Sequence, residues 1–356
     1  LHLCDRRQRQ MCIRDSSYID LNPSYDESQN AYPIRISVKE GTDMTSLAPI
    51  FELTPGATIS PASGSVQNFT TPVRYTVTSE DKAWHRVYAI TAREQKASNI
   101  PTTYHFEKVR IMQNVWQEFY EEQDSGNELT WASGNKGFKW AMSEAATEDY
   151  PTTQIDNGKT GKCVKLETRL TGDLGNMVGM PIAAGNLFIG SFDMLNAITN
   201  PLSATRFGTP FYNKPLRLTG YYKYKAGEQF YENGEYTSRK DIFNIYAIFY
   251  DGVKYDSAGK GTDVTLDGNL PNQNYEHSSM VALALVSNPQ ETEGDEWKFF
   301  DIPFDYQRYG KKIDEARLAK GEYKIGIIFA SSKDGATFEG APGSTLLIDE
   351  VELIYE

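Results

Sequence analysis

The chain has 356 residues, 39% of them hydrophobic and 24% charged, with a formal net charge of −12. That length suits two domains, and that balance can bury a core. An acidic chain with no basic stripe is a poor partner for nucleic acid or an anionic membrane, and no apolar run approaches the ~18 residues that would span a bilayer.

The chain opens with LHLCDRRQRQMCIRDSS, which holds Cys4 and Cys12. LHLC is a poor lipobox, because the positions before such a cysteine should be small and His2 is not. No apolar core follows, so no signal peptide is read. MCIRDS resembles a translated sequencing-adapter fragment. Residues 1–16 are therefore read as an artefact or a disordered leader, with the true start and any export signal missing. The third cysteine, Cys163, stands alone, so no disulfide framework is expected.

Residues 17–95 read as a small immunoglobulin-like β-sandwich. YPIRISVK alternates Ile34, Ile36 and Val38 against polar neighbours, as a half-buried strand does. Pro55-Gly56 and the stretch from Pro61 to Gly64 are turn signals. Val73, Tyr75 and Val77 share one face of a further strand, and Val87, Ala89 and Thr91 one face of the next. Trp84 reads as a core or edge aromatic. Residues 96–103 are polar and proline-marked, a linker.

Residues 104–356 read as a larger jelly-roll β-sandwich, so the fold class is all-β. LRLTGYYKYK sets Tyr222 and Tyr224 on one face and Lys223 and Lys225 on the other. DIFNIYAIFYDG and SSMVALALVS are apolar on both faces, as central strands are. GKKIDEARLAKG predicts one short helix ending at Gly321. In LLIDEVELIY, alternation puts Asp349 in a row with Leu347, Val351 and Leu353. A carboxylate there needs a partner. Glu107, near the start of the same domain, would lie beside it if first and last strands pair. With carbonyls from DNGKTGKC the two acids would make an oxygen site for a structural Ca²⁺. The alternative is that Asp349 caps a turn through backbone amides and Glu107 is solvated.

LTWASGNKGFKWAMS carries Trp131, Asn135, Phe138 and Trp140, and FGTPFYNKP adds Tyr212 and Asn213. Flat aromatics for stacking and amides for hydroxyls are what a sugar site needs, although either tryptophan could instead be core. The stretch FASSKDGATFEGAPGSTLLIDE reads as a long polar loop, either functional or a surface connection. No HExxH, GxSxG or Cys/His cluster appears, so no catalytic residue is assigned.

FEKVRIMQN, ELTWASGNKGF, LRLTGYYKYKAG, EWKFFDIPFDY and above all IIFASSKDGATFEGAPGSTLLIDEVELIY resemble the putative carbohydrate metabolism domain of Bacteroidetes surface proteins, over residues 104–356. FELTPGATISPASGSVQNFTTPVRYTVTSED is similar to the bacterial Ig-like modules that precede it. The resemblance implies an exported cell-surface lipoprotein whose jelly roll is related in shape to carbohydrate-binding modules, with glycan and surface-protein partners. The leading expectation is a non-catalytic glycan-binding module. A glycan hydrolase with a carboxylate pair, such as Asp334 with Glu339 or Glu107 with Asp349, is the alternative. A structural adhesin is a third reading.

Overall fold

The structure, a computed structural model, describes residues 25–356 apart from 40, 96, 124 and 125. The reading of residues 1–16 lies outside the described residues. Strands dominate, and contacts divide the chain into two compact units, one up to Ala97 and the other from Ser98 to Tyr355.

The first unit holds β1 (Tyr32–Lys39), β2 (Thr58–Ser60), β3 (Val73–Thr78) and β4 (His85–Gln95), in the sheet order β1-β4-β3-β2. β1 lies parallel to β4, with Ile34 opposite Ile90, and the other pairs are antiparallel. Ile34, Ile36, Phe51, Phe69, Tyr75 and Ile90 make the core. On β4, Ile90 and Ala92 face this core, with Ile90 in register with Val73 and Ile34, and Ala89 on the other face is buried as well. Trp84 is 65% exposed, in the turn between β3 and β4.

The second unit is built on β5 (Thr103–Tyr104), β6 (Thr152–Asp156), β7 (Lys162–Glu167), β8 (Asn186–Phe188), β9 (Thr209–Pro210), β10 (Pro215–Lys225), β11 (Asn244–Asp251), β12 (Met280–Leu285), β13 (Lys298–Pro303), β14 (Tyr323–Ala330) and β15 (Thr345–Tyr355). Short helices α1 (Asn135–Ala141), α2 (Gly172–Met177), α3 (Met194–Thr199) and α4 (Glu315–Leu318) lie between them. One antiparallel sheet runs β13-β10-β15-β7-β6, with β5 also on β15. The other runs β8-β14-β11-β12, with β9 also on β14.

Facing side chains of the two sheets form one core. Leu218, Tyr222, Tyr224, Leu346 and Ile348 meet Ile245, Ala247, Phe249, Ile327 and Phe329. Every residue of β11 but its last is buried. Its other face, with Tyr246, Ile248 and Tyr250, packs under Phe188, Phe207 and Leu266. The double-sided apolar pattern of that strand thus reflects a sheet covered on both faces. α4 is the helix expected before Gly321. Asp314 caps it by accepting from the backbone N–H of Ala316 and Arg317.

The last strand departs from simple alternation. Leu346 and Ile348 face the core, then Val351 and Leu353 do. The register on β10 shifts between Tyr221↔Asp349 and Thr219↔Glu352, and Glu350 has φ +47°. This bulge switches faces. The expected row of Leu347, Asp349, Val351 and Leu353 is therefore broken, and Asp349 turns away from the inter-sheet core.

Candidate active site

Chain 131–140 supplies both support and surface. Trp131 is 1% exposed and packs on Tyr104 at 5.0 Å, Phe106 at 5.7 Å and Phe329 at 5.9 Å between ring centroids. No ring face is left for a ligand. Asn135 opens α1 and is fully buried. Its Nδ2 donates to the Thr152 carbonyl at 2.7 Å, and its Oδ1 accepts from the Thr152 N–H at 3.1 Å. That pairing ties the helix to β6. Phe138 is buried edge-on against Tyr150 at 5.4 Å. Trp140 is 39% exposed. Tyr212 is exposed and Asn213 buried, and Tyr212 lies over Gly321. Of the six expected ligand residues, Phe138 and Trp140 share a cavity wall, Trp131 and Asn135 lie beneath, and Tyr212 and Asn213 line neither cavity described next.

Two cavities flank α1, and Phe138 and Ala141 contribute to both. One, of about 170 Å³, is lined mainly by apolar side chains and has no carboxylate in its wall. The other is an open cleft of about 720 Å³ formed by residues 141–145, Asp149, residues 167–170 and Pro342-Gly343. It carries three acids, Glu144, Asp149 and Glu167, and one guanidinium, Arg169.

The acids of the cleft differ in how firmly they are held. Glu167, the last residue of β7, is partly buried between Lys165 at 3.0 Å and Arg169 at 3.2 Å. Glu144 and Asp149 are exposed on the segment after α1. One fixed carboxylate and two accessible ones around an open cleft can serve as acid and base in hydrolysis. The sequence analysis did not find them. They come from chain segments about twenty residues apart, and alternation in KCVKLET shows only that Glu167 and Lys165 share a face.

Glu107 and Asp349 do come together, around the loop 157–162. Glu107 Oε1 accepts the Lys162 N–H at 2.8 Å, and Asp349 Oδ2 accepts the Thr160 N–H at 3.0 Å. The glycines make this possible. A Cβ on Gly161, at φ +60°, would overlap the Glu107 carboxylate, and one on Gly158 would lie 2.7 Å from Asp349 Oδ2. Burial pushes the Asp349 carboxyl up to about 6 against its backbone donors. The adjacent Cys163 is buried too, and burial first and Asp349 second push its thiol up to about 12.

The stretch 331–344 is exposed in its middle, at Lys333, Ala336 and Thr337, but anchored inside at both ends. Ser331, Ser332 and Ser344 are buried with Asp241 and Thr168. Asp241 Oδ2 accepts from Ser332 Oγ at 2.6 Å, Ser344 Oγ at 2.7 Å and the Ala341 N–H at 2.8 Å. Sequence reasoning noted the serines and missed Asp241, whose only local signal was an acid three residues before the buried strand Asn244–Asp251. Asp334 is ion-paired to Arg239, which also holds Glu232 at 3.1 Å. Neither Asp334 nor Glu339 lines a cavity wall described above. No helix among the described residues is long and apolar enough to cross a membrane.

Over residues 105–354 the chain matches the family model described as "Putative carbohydrate metabolism domain", and over residues 20–92 the one described as "SGBP, N-terminal". It is 50% identical to a solved structure from Bacteroides vulgatus described as "a putative glycoside hydrolase", with a TM-score of 0.67, covering 73% of this chain and 100% of that one. It is 46% identical to a second, so described, from Bacteroides thetaiotaomicron, with a TM-score of 0.65, covering 92% of this chain and 91% of that one. No curated protein matches the chain. The names of these relatives overturn the leading expectation of a non-catalytic binding module, and with it the lean away from an enzyme in an otherwise open reading. Absence of a local motif misled that reading, because glycosidase carboxylates meet in space and not in sequence. The resemblance read from the residues is upheld, and the chain belongs to the family described as "Putative carbohydrate metabolism domain".

Proposed function

We propose that the chain is a glycan-active hydrolase and that its chemistry is done in the acid-lined cleft beside α1. The observation that carries the reading is Glu167, held between Lys165 and Arg169 in a cleft shared with Glu144 and Asp149. The two relatives described as glycoside hydrolases favour the same class. In this reading Glu167 is the fixed carboxylate, and Glu144 or Asp149 exchanges the proton with leaving group or water. The cleft volume lies in the usual range for small-molecule sites, which suits one or two sugar units. Screening the full chain against a panel of polysaccharides should reveal reducing-end release. Glu167→Gln should lower kcat by about 10²–10⁴ with the thermal midpoint unchanged. Full activity in that variant would remove Glu167, and this cleft, from the reaction.

The finer architecture goes with this reading. The second unit is a jelly roll of residues 104–356 related to carbohydrate-binding modules. Its two facing antiparallel sheets and the pairing of its first strand with its last, Tyr104 opposite Val351, support that. The first unit, residues 17–95, is an immunoglobulin-like spacer, and the linker expected at 96–103 is shorter, since the second unit begins at Ser98, Ile100 packs in its core and β5 starts at Thr103. The match to "SGBP, N-terminal" supports an extracytoplasmic, lipid-anchored surface protein with a polysaccharide partner.

Glu107 and Asp349 hold a structural Ca²⁺ in this reading, with carbonyls of the 157–162 loop completing the oxygen donors. Among the described residues no group of three or more metal-ligating side chains forms, so backbone oxygens are required. Ca²⁺ added to EDTA-treated protein at 100-fold over its Kd would contribute about 2.7 kcal/mol. At roughly 2–4 °C per kcal/mol, the thermal midpoint should rise by roughly 5–10 °C. Asp349→Asn should abolish the response. No rise in the wild type would leave both acids as caps for backbone amides.

A further inference from the structure

The apolar cavity on the other side of α1 is unlike a sugar site. Phe188, Phe207 and Tyr246 form its floor in edge-on contacts, at 5.4 Å and 84° for the first pair and 6.3 Å and 88° for the second. Phe192, Phe338 and Trp140 add further aromatic wall. The polar groups in the lining are largely engaged. Asn186 Oδ1 accepts from the Gly134 N–H at 2.8 Å, Asn244 Nδ2 donates to Tyr275 Oη at 2.8 Å, and Ser332 Oγ donates to Asp241. No acidic side chain lines it, and its one charged residue, Lys333, is exposed. Sugar hydroxyls entering here would lose water for few partners.

The space is about 170 Å³, and an apolar cavity of about 150 Å³ accommodates one benzene ring. A herringbone of aromatic edges prefers another ring set edge-on or offset. α1 packs against α2 and α3, and of the cavity's lining residues Trp140 on α1 is 39% exposed.

We propose that this cavity is a binding site for a single aromatic ring, free or carried by a glycan as substituent or aglycone. The shared wall of Phe138 and Ala141 sets such a ring next to the acid-lined cleft. The site does not depend on catalysis there.

The test is ¹⁹F NMR of 4-fluorophenol and of 4-fluorophenyl β-D-glucopyranoside with the full chain. Both should show saturable shifts. Ala336→Trp, at an exposed position in the wall, should fill the mouth and weaken binding by about tenfold or more without moving the thermal midpoint. Trp140→Ala, which removes wall from an exposed position, serves if the first variant is unstable. Tighter binding of the glucoside assigns the ring to a glycan, and equal binding assigns the site to the free ring. No saturable shift, or one indifferent to both substitutions, overturns the proposal. Glu167→Gln should leave the shifts intact, so failure of the hydrolase reading would appear separately.

Discussion

Trp131→Ala should cost about 3–5 kcal/mol, the range for removing a large aromatic from a core, while Trp140→Ala should cost less than about 1 kcal/mol. Both residues lie in the stretch that sequence reasoning marked for sugar stacking, yet their surroundings differ. Trp131 is enclosed by Tyr104, Phe106 and Phe329, and these rings bridge β5, its following segment and β14. Its loss would leave a cavity where the two sheets meet, and surrounding aromatics relax only partly. At roughly 2–4 °C per kcal/mol the thermal midpoint should fall by roughly 6–20 °C. The indole N–H has no hydrogen-bond partner in the structure, so it contributes shape and not a bond. Trp131→Phe should therefore recover most of the loss. Urea unfolding of the three variants checks this. A Trp131→Ala chain of wild-type stability with altered glycan handling would contradict the core assignment.

The strands were largely legible, because burial on one face leaves a period of two. LRLTGYYKYK shows both the strength and the limit of that signal. Alternation paired Tyr222 with Tyr224 but could not say which side was core, and the structure buries both at 2% exposure. The bulge at Glu350 was not legible. It depends on Gly220 across the pair, where a Cβ would lie within 3 Å of Phe300 and Val351, and no single segment states that. Glu107 and Asp349 could be brought together on paper because one topological assumption sufficed. The acid-lined cleft needed three segments placed at once among 48 acidic residues, and tertiary packing alone supplies that.

Asp241→Ala should destabilise the second unit by about 3–5 kcal/mol, because it leaves several buried donors without an acceptor, at about 1–3 kcal/mol for each one unsatisfied. Asp241 Oδ2 gathers three donors from residues 332, 341 and 344, and Oδ1 accepts the Ile242 N–H at 2.9 Å. Through Ser332 the network reaches Thr168 Oγ1 at 2.5 Å, and Thr168 Oγ1 reaches Ser331 Oγ at 2.8 Å. It thus links the ends of β14 and β15 to the residue that follows Glu167. Without the carboxylate, those donors would be buried and unpaired. Asp241→Asn keeps one oxygen but turns an amide N–H toward Ile242, so it should cost about 1–3 kcal/mol. The pH dependence separates this carboxylate from an ordinary paired one. Burial raises the Asp241 pKa despite its donors. The folded state then holds the proton more tightly than the unfolded state, and stability falls as pH rises from about 4, the unfolded value, through the raised folded value. Asp241→Asn should lack that fall. If both chains lose stability in parallel over that window, the penalty does not reside at Asp241. Because Thr168 and Gly343 line the acid cleft and Ser332 lines the apolar cavity, a stable variant of this network should show its damage at both, as lower kcat and as weaker binding of the aromatic ring.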